Sequence, residues 1–258
     1  MDEGAFALAC QRAAALTRGA NGIGTLGEKS LHAALKLYFE PDAACHEQKV
    51  GGFVADIVGE DGVIEIQTRQ CGKLIRKLDA FLEACRVTVV HPLALEKWVI
   101  WHTADGGVQS RRRSPKHARL TDCVRELYPI RYALDHPGFR FCVCLLELEE
   151  HHLLDGYGKA RKGRATRLDR VPLRLLEEVW FTCPSDYLTL LPGGLPECFT
   201  VRDVMAAGAL DADTARMLLN ILCYLELAER VGKQGHAGVF RICMNGTKNA
   251  LQTAEIVV

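Results

Sequence analysis

From residue 53 to 67 the chain reads FVADIVGEDGVIEIQ, two apolar runs on either side of a Glu-Asp-Gly turn. Alternation with a period of two, broken by that turn chemistry, predicts a β-hairpin over 53–59 and 62–68. Residues 44–50 predict a strand before it, with Gly51 and Gly52 as the connecting turn. The pattern holds an anomaly. Asp56 stands between Ala55 and Ile57, and Glu65 between Ile64 and Ile66, so each run places an acid where an alternating strand would put a buried side chain.

The flanking pattern is that of an α/β protein. Residues 3–18 are rich in Ala and Leu and predict a helix, which the GANGIG stretch at 19–24 ends. That stretch follows a helix rather than a strand and has no Lys-Ser/Thr pair, so it is not a phosphate-binding loop. Residues 27–40 predict a second helix, with Leu31, Ala34, Leu35 and Tyr38 on its apolar face and Pro41 beyond its end. After the hairpin come a predicted helix over 72–85 and strands over 86–93 and 97–103. A Gly- and Arg-rich loop over 104–120 follows, then a short helix near 116–128. An apolar strand over 139–149, a basic connector over 156–170 and an extended segment over 171–181 complete this part. Past Cys183-Pro184 the grammar changes to short elements. Thr200 caps a helix of about eight residues that stops at Gly208. Asp211 or Asp213 caps another, with Ala215, Leu218, Leu219, Leu222 and Leu225 recurring at three and four. The strands AERV and GVFRI then flank a GKQGHA turn. Helix, turn, helix and a two-stranded wing resemble a winged helix-turn-helix domain.

Composition narrows the function classes. At 258 residues the chain is long enough for one large domain or two small ones. Its 32 basic and 32 acidic residues cancel, so any footprint for a polyanion must be local. No apolar stretch approaches the length of a membrane span and no basic–apolar leader opens the chain, so no membrane partner and a cytoplasmic location are expected. The 11 cysteines include no C-x-x-C pair. Cys10, Cys85, Cys142, Cys144 and Cys223 fall inside apolar patterns and read as small buried hydrophobes, not zinc ligands or a disulfide framework. His91 reads as a hydrogen-bonded strand-end histidine, and His151-His152 as a solvated turn.

Two carboxylates on adjacent strands repel, and a hard divalent cation relieves the repulsion. Such an ion suits phosphodiester cleavage. The order of parts is Glu28 on a helix, Asp56 on one strand, Glu65-Ile66-Gln67 on the next, then a helix and the strand VTVVHP. This resembles the PD-(D/E)XK nuclease superfamily over about residues 20–103. The resemblance implies a restriction-endonuclease-like mixed sheet flanked by helices. It implies Mg²⁺ or Mn²⁺ held by Asp56, Glu65, the Ile66 carbonyl and Glu28. Gln67 takes the place of the superfamily's lysine: it can orient a water but carries no charge. Lys73, Arg69 or Lys49 would supply that charge. The plain alternative has Asp56 and Glu65 facing solvent on a one-sided sheet.

Two basic stretches point to nucleic acid, with DNA favoured. One holds Arg111, Arg112, Arg113, Lys116 and Arg119. The other holds Lys159, Arg161, Lys162, Arg164, Arg167, Arg170 and Arg174. In the winged helix, Arg216 and Lys233 are the basic candidates, while Asp211 and Asp213 would repel phosphate. The expected organisation is a nuclease-like domain over 1–182 and a small C-terminal winged helix domain over 183–258. The expected function is a Mg²⁺-dependent endonuclease or phosphodiesterase. A homodimer is the expected assembly, since nucleases that cut both strands commonly pair. The competing reading is a catalytically inactive DNA-binding or regulatory protein on the same scaffold. Retention of all three acids separates the two, because a decayed site has little reason to keep them.

Overall fold

The computed structural model describes residues 1–17, 29–103, 107–155 and 165–243. Glu28, Arg161, Lys162, Arg164 and the 19–24 stretch lie outside the described residues. The protein is mixed α/β, with a large sheet flanked by helices. It divides into two compact units. The first comprises Met1–Thr68, Val89–Arg119 and Val143–Val179, the second Arg69–Thr88, Leu120–Cys142 and Trp180–Val258.

In the first unit, α1 (Glu3–Thr17) lies on α2 (Ser30–Phe39) through small side chains. Ala9 and Ala13 meet Ala33, Ala34 and Leu37, which lets the two backbones approach closely. Seven of the ten α2 residues are buried, so this helix is enclosed rather than half-exposed. Two of the seven, Ser30 and Lys36, are polar and must be partnered there. The Ser30 N–H and hydroxyl donate to the Asp169 carboxylate at 3.3 and 2.5 Å, so a distant acid caps a helix whose own Lys29 offers no cap. The Tyr38 hydroxyl donates to Glu178.

The seven-stranded sheet contains β1 (His46–Val50), β2 (Phe53–Gly59), β3 (Gly62–Ile66), β4 (Val87–His102), β5 (Val108–Arg113), β6 (Phe139–Leu153) and β7 (Thr166–Phe181). Its path is β1-β2-β3-β4-β6-β7, and β5 pairs antiparallel with β4. Strand β2 coincides with its predicted span and β3 starts where predicted but ends at Ile66, two residues short of the predicted 68, since alternation and turn chemistry are local. Elsewhere pairing overrides local pattern. The two strands expected over 86–103 are one 16-residue strand. Pro92 removes a single ladder donor, and the β-branched run before it together with the strand pairing beyond it outweighs that loss. The expected Arg-rich loop contains β5, and residues 166–170 of the expected connector begin β7. His151 and His152 are not a solvated turn but lie within β6, stacked on His102 and Trp101 at ring-centroid distances of 5.1 Å.

The second unit is built from α3 (Ile75–Leu82), α4 (Val124–Leu127), α5 (Val201–Gly208) and α6 (Ala212–Tyr224) with short 3₁₀ turns. Its core includes Leu78, Phe81, Leu127, Ile130, Tyr187, Leu218 and Leu222. The predicted helix over 72–85 begins as a 3₁₀ turn, Cys71–Leu74, before α3. At the start of α5, the Thr200 N–H and hydroxyl both donate to Asp203 Oδ2, at 2.7 and 2.8 Å. Asp211, not Asp213, caps α6: Oδ1 accepts from the Asp213 and Thr214 N–H groups, and Arg125 holds the same oxygen at 2.9 Å. These bonds keep the Asp211 carboxyl far below the usual range, led by those from Thr214. A small antiparallel sheet of β8 (Phe199–Thr200), β9 (Ala228–Gln234) and β10 (Ala237–Ile242) has the order β8-β10-β9. Gly235, at φ 62°, opens the two-residue turn between β9 and β10, a position that favours glycine.

Candidate functional site

Ladder pairing between β2 and β3 runs Gly59 to Gly62, Val58 to Val63 and Ile57 to Ile64. One step further, Asp56 stands opposite Glu65, so both project from the same face. Ala55 and Ile57, both fully buried, belong to the other face. At the acidic pair the carboxylates take over from the ladder. The Ile66 N–H donates to Asp56 Oδ2 at 2.8 Å, and the Asp56 N–H donates to Glu65 Oε1 at 3.3 Å. Glu65 is 2% exposed and the Asp56 side chain 17%. Neither acid faces solvent, which overturns the one-sided-sheet alternative.

Helix α2 lies over this face. His32 Nε2 is 3.1 Å from Asp56 Oδ2. One turn on, the Lys36 ammonium, its side chain 5% exposed, donates to Glu47 at 2.7 Å. Glu47 stands opposite Asp56 on β1, between the paired rows His46–Ile57 and Gln48–Ala55. Its φ of 53° is unusual for a residue with a side chain. Glu47, Asp56 and Glu65 thus form a row across three strands, and α2 sets a histidine and a lysine against it. The sequence reading missed His32, Lys36 and Glu47. The available signal was two polar residues four apart within the otherwise apolar SLHAALKLYF.

Gln67 follows the pair in extended chain. Its N–H donates to the Val90 carbonyl at 2.9 Å, and its own carbonyl accepts from His91 Nδ1 at 2.7 Å, which makes Nδ1 the protonated nitrogen. Lys73 is exposed in the second unit, in the 3₁₀ turn before α3. Among the described residues no group of three or more His, Cys, Asp or Glu side chains is arranged to hold a metal.

The basic candidates divide by their partners. On β5, Arg111 lies over the Trp98 ring at 3.9 Å and donates to Glu149 at 2.9 Å, and Arg113 pairs with Glu96 at 2.8 Å. Arg112 makes no ion pair among the described residues. In the second unit Arg216 pairs with Asp213 at 3.1 Å, and Lys233 is exposed on β9. On β6, Glu150 is buried, which pushes its pKa up. The His152 hydrogen bond and the Lys97, Arg170 and Arg167 cations outweigh this and hold it below the ordinary value.

Fold and row together define an α/β protein with a buried acidic pair under an enclosed helix. Residues 29–182, more than half of the chain, match the family described as a domain of unknown function (DUF8091), and the chain belongs to that family. The match runs from the start of α2 to the end of β7 and contains Glu47, Asp56, Glu65 and Gln67. An uncharacterized protein of Treponema pallidum (strain Nichols) is similar, at 28% identity over 220 residues that cover 85% of this chain and 87% of that protein. No solved structure matches.

Proposed function

We propose that the chain is a metal-dependent nuclease that hydrolyses phosphodiester bonds of nucleic acid, DNA by preference, on a restriction-endonuclease-like scaffold. One observation carries this reading: Asp56 and Glu65 stand opposite each other on one sheet face with Glu65 fully enclosed. Two charges placed there are costly unless something uses them.

The donor chemistry fits a hard dication. Mg²⁺ and Mn²⁺ take one or two protein carboxylates and complete their shells with water and substrate phosphate. Asp56, Glu65 and the Ile66 carbonyl would hold the ion, and Glu28 would join from the segment before α2. Such an ion, when bound, supplies Lewis acidity to the phosphate and acidifies a water. The chain's own groups do the rest. The Ile66 N–H and His32 orient Asp56 Oδ2, and the Asp56 N–H orients Glu65. Gln67 accepts from the attacking water through its amide oxygen, or donates to a phosphate oxygen through its amide nitrogen. In the reaction the water gives up a proton to solvent and its oxygen bonds to phosphorus. The bond from phosphorus to the leaving oxygen breaks with its electron pair, and the leaving oxygen takes up a proton.

We read α5, α6 and the β8-β10-β9 sheet as a winged helix that docks a partner. The first turn of α6 carries Asp213 next to the Asp211 cap, and Arg216 is neutralised by Asp213. That favours contact through the wing, including Lys233, over insertion of α6 into a groove.

Plasmid digestion in Mn²⁺ against EDTA, with calorimetric Mn²⁺ titration, tests the reading. The wild type cuts and binds, whereas Asp56→Ala loses both. Equal cutting by the variant would place the activity elsewhere. No cutting of DNA or RNA by the wild type, with no heat of Mn²⁺ binding, would leave the non-catalytic reading.

A further inference from the structure

The two faces of the sheet around β4, β5 and β6 differ in charge. Alternate residues of a strand share a face. Glu96, Trp98, Ile100 and His102 line one face of β4, with Glu147, Glu149 and His151 beside them on β6. There the charges are balanced. Arg111 sits on Glu149, Arg113 on Glu96, and the Trp98 indole N–H on Glu147 at 2.9 Å.

The other face is different. Lys97 and Trp101 of β4 meet Glu150 and His152 of β6: Lys97 Nζ is 3.7 Å from Glu150 Oε2, and the Trp101 and His152 rings stack. Arg112 stands opposite Val99, which assigns it to this face. From β7, Arg170 reaches the same Glu150 oxygen at 3.4 Å, and Arg167, of opposite parity at the start of the strand, extends its long side chain to that oxygen at 3.9 Å. Three cations therefore gather around one carboxylate, and Arg112 stands apart from it as a fourth on the same face. Lys97, Arg167 and Arg170 keep 23%, 30% and 29% of their side chains exposed, enough to reach a ligand. Cations in excess beside a stacked aromatic pair match a phosphate backbone with unstacked bases.

We infer that this face of β4, β5, β6 and β7 is the track for a nucleic-acid strand. Lys97, Arg112, Arg167 and Arg170 take phosphates, and the Trp101–His152 pair offers a ring face to a base. Glu150 holds three of the cations in place in the free protein. The inference rests on the nucleic-acid part of the proposed function and is independent of cleavage. It moves the footprint from the whole Arg111–Arg113 run to Arg112 alone and adds Lys97.

The test is fluorescence anisotropy of a labelled single-stranded DNA oligonucleotide in EDTA over a NaCl series, with a duplex of the same sequence as the second arm. Lys97→Gln, Arg112→Gln, Arg167→Gln and Arg170→Gln should each flatten the plot of log K against log salt by about 1. Arg111→Gln and Arg113→Gln should leave it unchanged. Glu150→Gln should tighten binding several-fold, a gain that misfolding cannot mimic. Arg112→Gln, on the exposed edge strand, keeps the test decisive if a more enclosed variant fails to fold. Equal losses from Arg111→Gln and Arg113→Gln, weaker binding by Glu150→Gln, or wild-type binding without salt dependence overturns the inference, as does preference for the duplex arm. Salt-dependent binding without cleavage upholds it while sinking the nuclease reading; cleavage with a slope indifferent to all four cations does the reverse.

Discussion

Replacing Glu65 by glutamine removes one charge from the acidic pair and leaves its shape. Residues directly opposite across a sheet place their Cβ atoms about 5 Å apart. At an effective dielectric of about 20, two unit charges at about 5 Å repel by about 3 kcal/mol. Glutamine keeps an oxygen for the Asp56 N–H, now 3.3 Å from Glu65 Oε1, and weakens that bond by roughly 1 kcal/mol because the acceptor is neutral. The substitution should therefore stabilise the protein by about 2 kcal/mol, the repulsion relieved less the bond weakened. In a chain of this size each kcal/mol shifts the melting midpoint by about 2–4 °C, so calorimetry at neutral pH in EDTA should show a rise of about 4–8 °C. The gain should shrink in acid, where the wild-type carboxylates are protonated. Mn²⁺ should raise the wild-type midpoint and leave that of Glu65→Gln in place. A midpoint that falls or stays level in EDTA would show that Glu65 does not oppose a charged Asp56, and the reasoning that leads from the acidic pair to a metal would go with it.

The contact of α1 with α2 depends on small side chains, and Ala34 is fully buried there, so Ala34→Leu should cost about 1–3 kcal/mol by overpacking; a urea midpoint equal to that of the wild type would contradict this. Burial, reinforced by His102 of β4, holds the His151 pKa below its ordinary 6.5 against the pull of Glu149 on β6 and Asp169 on β7. The unfolded chain therefore takes up the proton first, and the stability held by neutral His151 is complete above pH 6.5 and lost as pH falls below it. Urea midpoints at about pH 7.5 and about pH 5.5 should differ more in the wild type than in His151→Gln, and equal differences would remove His151 as the cause.

Legibility followed the range of the forces involved. The β2–β3 hairpin, the Thr200 and Gly208 ends of α5 and the apolar stripe of α6 were readable because alternation, capping and turn residues act within a few positions. Strand β5 was not, because all six of its residues are exposed and its extended state comes from pairing with Trp98 to His102 of β4. The length of β4 was hidden by Pro92, a local breaker that the ladder on both sides overrides. In α2 the predicted apolar face was correct but incomplete. A helix enclosed on nearly all sides must bury its polar residues as well, and that is how His32 and Lys36 come to lie over the acids. The Asp169 cap of α2, 139 residues away along the chain, had no local signature at all.

The backbone alone does not account for the acids. At the point where β2 and β3 stop pairing, the Ile66 and Asp56 N–H groups need acceptors, and side-chain oxygens supply them. Asparagine at 56 and glutamine at 65 would offer the same oxygens without mutual repulsion. A neutral pair would also need neither the imidazole nor the buried ammonium that α2 sets against the row. Hydrogen bonding thus explains why polar side chains stand there, and leaves unexplained why they are charged. A cation in the row answers that question, whether it comes from His32 and Lys36 or from a bound dication. The two sources differ in one respect that can be measured. Charges already neutralised by α2 would make removal of Glu65 destabilising, whereas charges kept for a dication make it stabilising until the ion is added.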